Sequence, residues 1–206
     1  MLLGEPDVAQ VQAETAVALS TQHEFELWRV MGMIGQAWAL VERGLNGEGI
    51  AQLRGGLSAL RATGAEVLLP YFLSQLAQAC VQAGRVAEGL ELLEQSQGAM
   101  EEGGEHWWQA ELYRLQGEFQ LRMPDTAGNE QAAEEYFQRA LALSREQHAK
   151  SLELRASLSL SGLWHRRGRN SEARHLLAET YQWFTEGFDT PDLRDARNLL
   201  ERLSPN

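Results

Sequence analysis

The decapeptide GRVAEGLELL, residues 84–93, recurs in part as GRNSEARHLL at residues 168–177, where five letters match in register. Extending the match gives four glycines at nearly equal intervals along the chain: Gly44, Gly84, Gly128 and Gly168. A nearly constant period of this kind is typical of arrays of paired helices, because each pair buries its apolar face against a neighbouring pair. The sequence therefore predicts a helical repeat protein.

Three more columns recur after each glycine, in the order small, large apolar, small. Their members are Gly49, Leu53 and Gly56; Gly89, Leu93 and Ser96; Ala133, Phe137 and Ala140; Ala173, Leu177 and Thr180. A glycine ends a helix by taking a left-handed conformation. We expect the small residues of the following helix to let its backbone approach the preceding helix, and the large residue to fill the groove between them.

The predicted fold class is an all-α, right-handed superhelical solenoid of about four hairpins with long helices and a C-terminal capping helix. The predicted helices span 7–21, 23–43, 48–63, 67–83, 86–101, 105–122, 130–147, 149–167, 170–186 and 191–203. We interpret 1–206 as a single repeat domain with hairpins at about 23–63, 67–101, 105–147 and 149–186 and a cap at 191–203. RGLNGEG (43–49) and RMPDTAGN (122–129) are predicted loops that lengthen the first and third connectors.

Two ends of the array carry particular signals. Thr190, Pro191 and Asp192 form a helix start with a capping residue, a proline at the first helical position and an acid in the first turn. Leu193, Ala196, Leu200 and Leu203 then form one apolar stripe, which should cover the last hairpin. The first helix has no predicted partner before it, so either it pairs with the second or the chain is cut from something longer.

Composition narrows the functional class. The formal net charge is −11, from 18 basic and 29 acidic residues, so the average field repels phosphate backbones and argues against nucleic-acid binding. The longest apolar run, Val67–Leu73, is too short to span a membrane, and no leader peptide is evident. One cysteine, Cys80, is compatible with a reducing compartment. We therefore expect a cytoplasmic protein that binds neither nucleic acid nor membrane.

The small–large–small columns resemble those of tetratricopeptide (TPR) repeats, although the period here exceeds their usual ~34 residues. HWWQAELYRLQGEFQL (106–121) and the segment from AKSLELRASL (149–158) to residue 203 resemble, more closely, the C-terminal region of a family of large bacterial signalling proteins. LRGGLSALRATGAEVLLPYFLSQLAQA (53–79) extends the resemblance more weakly. In that family a cyclase-type or other regulatory domain precedes an ATPase module and a repeat tail. The resemblance implies a tail, and an insert at 124–129 departs from its pattern.

No motif in the chain indicates an enzyme. Phosphate-loop, nucleophile-elbow and metalloprotease signatures are missing, and GLNGEG (44–49) is too short for a phosphate loop. The five histidines are not spaced as metal ligands. The acidic cluster that ends at Glu105 and the one that begins at Glu130 are interpreted as solvated charge. We expect no catalysis, no cofactor and no metal.

The first helices of the hairpins should line an inner face. Counting helical turns from the small residue of each first helix selects Arg29, Gln36, Gln75, Gln78, Gln82, Glu111, Arg114, Glu118, Arg122, Arg155, Ser159 and Arg166. Arginine and glutamine on such a face can hold the carboxylates or backbone amides of an extended peptide. The alternative is that Glu111, Arg114, Glu118 and Arg122 merely pair with one another at helical spacing on a wet surface.

Two adjacent tryptophans, Trp107 and Trp108, are a further candidate. Neighbouring residues of a helix point about 100° apart, so both side chains can hardly enter one core. We expect one to be exposed as an anchor for a partner. The alternative is that both wedge between adjacent repeats.

These observations predict a non-enzymatic interaction and regulatory module, the tail of a larger ATPase- or cyclase-type signalling protein. Its partner would be a protein or peptide segment, or upstream domains of its own parent chain. A second hypothesis is a small-molecule sensor whose superhelix encloses a ligand. A third is a structural oligomerisation scaffold.

Overall fold

The computed structural model describes residues 6–104, 106–124 and 127–204, and all regular elements within them are α-helices. The helices are α1 (Pro6–Gln22), α2 (Glu26–Glu42), α3 (Asn46–Ala62), α4 (Leu69–Gln82), α5 (Val86–Gly103), α6 (Gln109–Gln120), α7 (Ala127–Glu146), α8 (Lys150–Arg166), α9 (Asn170–Tyr181) and α10 (Pro191–Arg202). The predicted all-α class is therefore confirmed, and each predicted helix has a counterpart.

The helices form two compact units, Met1–His106 and Trp107–Asn206. In the first unit, α1 packs on α2, α2 on α3, α3 on α4 and α4 on α5. The first helix thus pairs with the second, which was one of the two alternatives for it. In the second unit, α6 packs on α7, α7 on α8 and α8 on α9, while α10 contacts both α8 and α9. Among the described residues, the packed pairs of consecutive helices include α2–α3, α4–α5, α6–α7 and α8–α9, and α10 is added to the last pair.

Five connectors between helices have the same three-residue geometry, and the middle residue of each has a positive φ. These residues are Glu24, Gly44, Gly84, His148 and Gly168, with φ of 58°, 81°, 80°, 54° and 77°. In each connector the amide of the next residue donates to a carbonyl five positions back, for example Arg85 to Cys80 at 2.8 Å. This bond is the outer one of the Schellman motif, which satisfies carbonyls at a helix C-terminus. The helices therefore end where the turn chemistry requires.

Two predictions about connectors were wrong. Gly128 was expected to end a helix in a left-handed conformation, but it lies in the first turn of α7. RGLNGEG was expected to lengthen the first connector, yet α3 begins at Asn46 and leaves only residues 43–45 between the helices. Part of the third connector's insert, residues 125 and 126, lies outside the described residues, as does Glu105.

The small–large–small columns pack as predicted. A Cβ atom at Gly49 of α3 would lie 2.5 Å from Val41 Cγ2 and 3.0 Å from the Ala37 carbonyl oxygen of α2. Only glycine permits this approach of the two backbones. In the third hairpin a large column residue packs directly on a glycine of the preceding helix. Phe137 of α7 is fully buried, and a Cβ atom at Gly117 of α6 would lie 2.5 Å from its ring. The four large column residues are all fully buried.

Two buried serines, one of them in the columns, bond to neighbouring helices. Ser96 of α5 donates to the Pro70 carbonyl at 2.7 Å, and Ser161 of α8 donates to the Ala173 carbonyl at 3.0 Å. Both serines are fully buried. Because a buried hydroxyl without a partner is costly, these bonds help to fix the register of the paired helices.

Two apolar clusters organise the second unit. One joins α7 and α8 around Phe137 and Leu160. The other joins α8, α9 and α10 around Leu154, Leu177 and Leu193. The second cluster confirms the predicted apolar face of the last helix, and it positions the polar N-terminal turn of α10 beside α8.

Candidate functional site

Two of the predicted inner-face residues of the first unit, Arg29 and Gln78, contact their own helices. Arg29 pairs with Glu26 at 2.5 Å, and Gln78 donates to the Ser74 carbonyl at 3.3 Å. Gln75 is buried, Gln36 is half-buried and Gln82 is exposed. These contacts stabilise single turns of α2 and α4 and do not connect the helices into one site.

In the second unit the predicted inner-face residues come together around Glu111 of α6. This carboxylate is 2% exposed and accepts both Nε and Nη2 of Arg114, at 2.9 and 2.8 Å. It also accepts Nη1 of Arg155, on α8, at 3.0 Å. A paired guanidinium and carboxylate of this fork geometry hold each other in one orientation.

The polar network extends from α6 through α8 to α10. Arg155 Nε donates to Asp192 Oδ2 at 2.8 Å, so one guanidinium bridges carboxylates of two other helices. Ser159 Oγ donates to Glu118 Oε1 at 2.6 Å and accepts Arg114 Nη1 at 3.3 Å. Glu111, Arg114 and Glu118 thus pair with one another at helical spacing, and Arg155, Ser159 and Asp192 extend their network to two further helices.

Helical spacing explains how the sequence builds this arrangement. Glu111, Arg114 and Glu118 lie three and four residues apart and so share one face of α6. Arg155 and Ser159 share a face of α8 for the same reason. Packing of the apolar side of α10 against Leu154 brings Asp192 to Arg155.

A cleft of about 300 Å³ opens beside the network. Its lining residues are Arg114, Glu118, Leu121, Arg155, Leu158, Ser159, Gly162, Arg166, Asp192 and Asp195. They come from α6, the residue that follows it, α8 and α10. The three helices thus combine charged walls with a few apolar contacts in one concavity.

The electrostatics of the network favour fixed charges. Burial raises the pKa of Glu111, but the adjoining Arg114 and Arg155 guanidinium groups outweigh that effect, and its pKa lies below the usual value. Burial lowers the pKa of Arg114, but the carboxylates of Glu111 and Glu118 raise it by more, so the pKa of Arg114 lies above its usual value. Glu111 and Arg114 therefore both remain charged over the physiological range.

The remaining candidates lie outside the network or at its edge. Arg122 is exposed, and Arg166 is exposed at the rim of the cleft. Trp107 is 41% exposed and Trp108 is 5% exposed, with ring centroids 5.3 Å apart. Both residues precede α6, which begins at Gln109, so their divergence arises in a turn and not in a helix.

Sequence reasoning missed Asp192 and Asp195 as cleft residues. Asp192 was interpreted only as a first-turn acid, and α10 only as a cap. The available signal was the polar face of α10, where Asp192 and Asp195 stand three residues apart opposite the apolar stripe.

A second polar network, also missed, joins α7, α8 and the start of α9. Trp164 Nε1 donates to Glu134 Oε1 at 2.6 Å, and Arg169 Nη1 donates to the same oxygen at 2.8 Å. The Arg169 guanidinium lies 4.4 Å from the centre of the Trp164 ring, and Arg167 also pairs with Glu134. These contacts hold the connector at residues 167–169 against α7 and α8.

Among the described residues, the side chains that line the cleft include no histidine, and the Ser159 hydroxyl is bonded to the Glu118 carboxylate. Within residues 6–104, 106–124 and 127–204 no three histidine, cysteine or acidic side chains group as metal ligands. Over the same ranges none of the helices is long and apolar enough to traverse a bilayer.

Comparison with solved structures shows which fold this is. The chain superposes on a Podosopora anserina protein described as a kinesin light chain, whose own TPR-like repeats are nearly identical to one another. The TM-score is 0.56 at 18% identity, over 98% of this chain and 90% of that one. A point variant of the same protein superposes with a TM-score of 0.58 at 20% identity, over 86% of this chain and 85% of that one. The fold is that of TPR-like repeats.

Sequence comparisons add a distant relative. A protein of Rhizobium meliloti (strain 1021) described as uncharacterized is 28% identical over 142 residues, or 69% of this chain. The match covers 14% of that protein, so the chain spans only a small part of the relative's length. No protein-family model matches the sequence.

Proposed function

We propose that the protein is a non-catalytic TPR-like interaction module that binds an extended protein segment in the cleft between α6, α8 and α10. The observation that carries the proposal is the set of rigidly held charged groups, centred on buried Glu111, beside an open cleft of about 300 Å³. TPR-like repeats are interaction folds, and extended peptides are recognised by directed hydrogen bonds along such surfaces.

Preorganisation supports this proposal. Glu111 fixes Arg114 and Arg155, and Ser159 fixes Glu118. A partner that binds between these groups would not have to order them, which lowers the entropic cost of association. The cleft is partly open and lined mainly by charged side chains, which fits a peptide better than the enclosed apolar pocket that a small-molecule sensor usually has.

We further propose that the module acts within a large cytoplasmic signalling protein, where it docks on upstream ATPase- or cyclase-type domains of the same polypeptide. The resemblance of residues 106–121 and 149–203 to the repeat tails of such proteins supports this context. The Rhizobium relative, of which the match covers only 14%, also supports a large parent.

A display experiment tests peptide binding. The purified chain would select peptides from a random phage library, in parallel with the variant Ser159→Arg, whose long side chain fills the cleft. We expect peptides selected by the unmodified chain to lose binding to Ser159→Arg and to keep it with Ser151→Arg, which changes an exposed serine on the same helix. Selection that is the same with all three proteins would contradict the proposed site.

Crosslinking of the full parent polypeptide tests the intramolecular version. Lys150 is the one lysine of the sequence, so a carboxyl-reactive crosslinker, which has 29 acidic residues to attack, is the suitable reagent. Crosslinks from Glu118 or Asp195 to upstream domains are expected with or without ATP. Their absence in both conditions would contradict docking within the parent.

A further inference from the structure

Some charged side chains of the cleft already form ion pairs with protein groups, and others do not. Arg114 donates through Nε, Nη1 and Nη2, and Arg155 donates through Nε and Nη1 to two carboxylates. Arg166 and Asp195 also line the cleft, but they have no ion pair among the described residues. Within the described part of the chain, the cleft therefore presents one cation and one anion that lack an ion pair.

Glu118 is a further negatively charged residue of the cleft. The Glu118 side chain is 36% exposed, and the cation paired with it is Arg114, whose Nη1 lies 3.4 Å away. The same Nη1 also donates to Ser159, and the Arg114 Nη2 donates to Glu111. Glu118 Oε1 accepts the hydrogen bonds from both Arg114 and Ser159, so Glu118 Oε2 remains available to a ligand. The negative region thus lies at the level of Ser159 on α8.

The positive region lies farther along the same helix. Arg166 follows Ser159 by seven residues, which at 1.5 Å per residue is about 10 Å along the axis of α8. An extended peptide advances about 3.3 Å per residue, so about three residues cover this distance. Long basic side chains widen the range by about one residue either way.

We propose that the cleft selects protein segments in which a basic and an acidic side chain stand about two to four residues apart. The basic side chain binds Glu118 and Asp195, and the acidic side chain binds Arg166. This inference rests on the proposed function and names the chemistry of the partner. Charge complementarity at both ends of the cleft distinguishes such a segment from a uniformly basic one, which the net charge of −11 would attract without specificity.

A peptide array tests the proposal directly. Each peptide would carry one lysine and one glutamate in a neutral background, in both orders and at every spacing from adjacent to about six residues apart. We expect binding to peak at spacings of about two to four residues, in one order. Peptides with two lysines or two glutamates at the best spacing should bind about threefold to tenfold more weakly.

Charge reversal identifies the residues responsible. Arg166→Glu should move the preference from lysine–glutamate to lysine–lysine peptides, and Asp195→Lys should weaken binding of the lysine. The matched controls are Arg197→Glu and Asp189→Lys, which reverse exposed charges of the same unit outside the cleft. Unchanged circular dichroism and melting would show that each variant folds.

The outcomes separate this inference from the proposed function. Peptides that bind and lose binding with Ser159→Arg, but show no dependence on charge spacing, would overturn the inference and keep the site. If Arg197→Glu changed the peptide preference as strongly as Arg166→Glu does, the inference would also be overturned. Absence of Ser159→Arg-sensitive binding would overturn the proposed function itself.

Discussion

The carboxylate of Glu111 on α6 and the guanidinium of Arg155 on α8 form an ion pair at 3.0 Å across 44 residues of sequence. Glu111 is 2% exposed and faces a second arginine, Arg114. Removing the negative charge would leave two guanidinium groups facing each other in a largely buried place. The stability of the second unit therefore depends on this one carboxylate.

Glu111→Gln tests that dependence. We expect a loss of roughly 3 kcal/mol in the free energy of unfolding, since breaking a buried pair from one side leaves an uncompensated charge. Glu146→Gln, which changes an exposed glutamate on α7 in the same unit, should stay within about 0.5 kcal/mol. Urea denaturation followed by far-UV circular dichroism measures both. Equal effects of the two variants would show that Glu111 has no special role.

Acid should destabilise the second unit through three glutamates. Burial raises the pKa values of Glu111, Glu134 and Glu153, but the surrounding partners outweigh it in each case, so all three are lowered in the folded protein. A lowered folded pKa gives stability that is present above the unfolded value, about 4.3, and is lost as the pH falls through the folded value. Melting temperature should therefore decline as the pH is lowered below about 4.3, and less steeply in Glu111→Gln. Parallel declines in the two proteins would contradict the assignment to Glu111.

Two glycines of α3 should respond oppositely to the same substitution. Gly49→Ala places a Cβ 2.5 Å from Val41 and 3.0 Å from the backbone of α2, so we expect a loss of about 1 to 3 kcal/mol in unfolding free energy. Gly55→Ala meets nothing within 4 Å and should gain about 0.5 to 1 kcal/mol from helix propensity. Chemical denaturation distinguishes them. If Gly49→Ala also stabilised the protein, the close approach of α2 and α3 would be disproved.

The left-handed connectors predict another matched pair. Glu24 has a φ of 58°, which costs a residue with a side chain roughly 1 kcal/mol, so Glu24→Gly should raise the melting temperature of the first unit. Gly84, with a φ of 80°, occupies the equivalent place, and Gly84→Ala should lower it. Differential scanning calorimetry measures both shifts. A fall in melting temperature with Glu24→Gly would mean that the side chain contributes more than its backbone strain.

The fold was largely predictable because a left-handed glycine follows half of the ten described helices. Gly44, Gly84 and Gly168 take the left-handed turn, and the buried columns follow them at constant distances. The prediction at Gly128 failed because that glycine lies inside a helix, whereas Glu24 and His148 take the left-handed turn without being glycine. Backbone conformation at such positions depends on the tertiary packing of both flanking helices, which the local sequence does not record.

The candidate site was predictable only within helices. Spacing placed Glu111, Arg114 and Glu118 on one face of α6, and repeat alignment placed Arg155 on the matching face of α8. Spacing also puts Asp192 and Asp195 on the polar face of α10, but their place in the cleft depends on how α10 is oriented over α8 after its apolar stripe is buried, which spacing does not determine. Sequence period determines which helices pair, but the orientation of an added helix follows from side-chain packing.

The last helix is joined to the rest by residues 182–190, most of whose side chains are exposed. A protease that cut this connection would release a helix that supplies both an apolar lid and two carboxylates of the cleft. Stability and the proposed peptide binding would then be lost in one irreversible event. The half-life of binding activity in a cell extract should accordingly match the half-life of the intact chain.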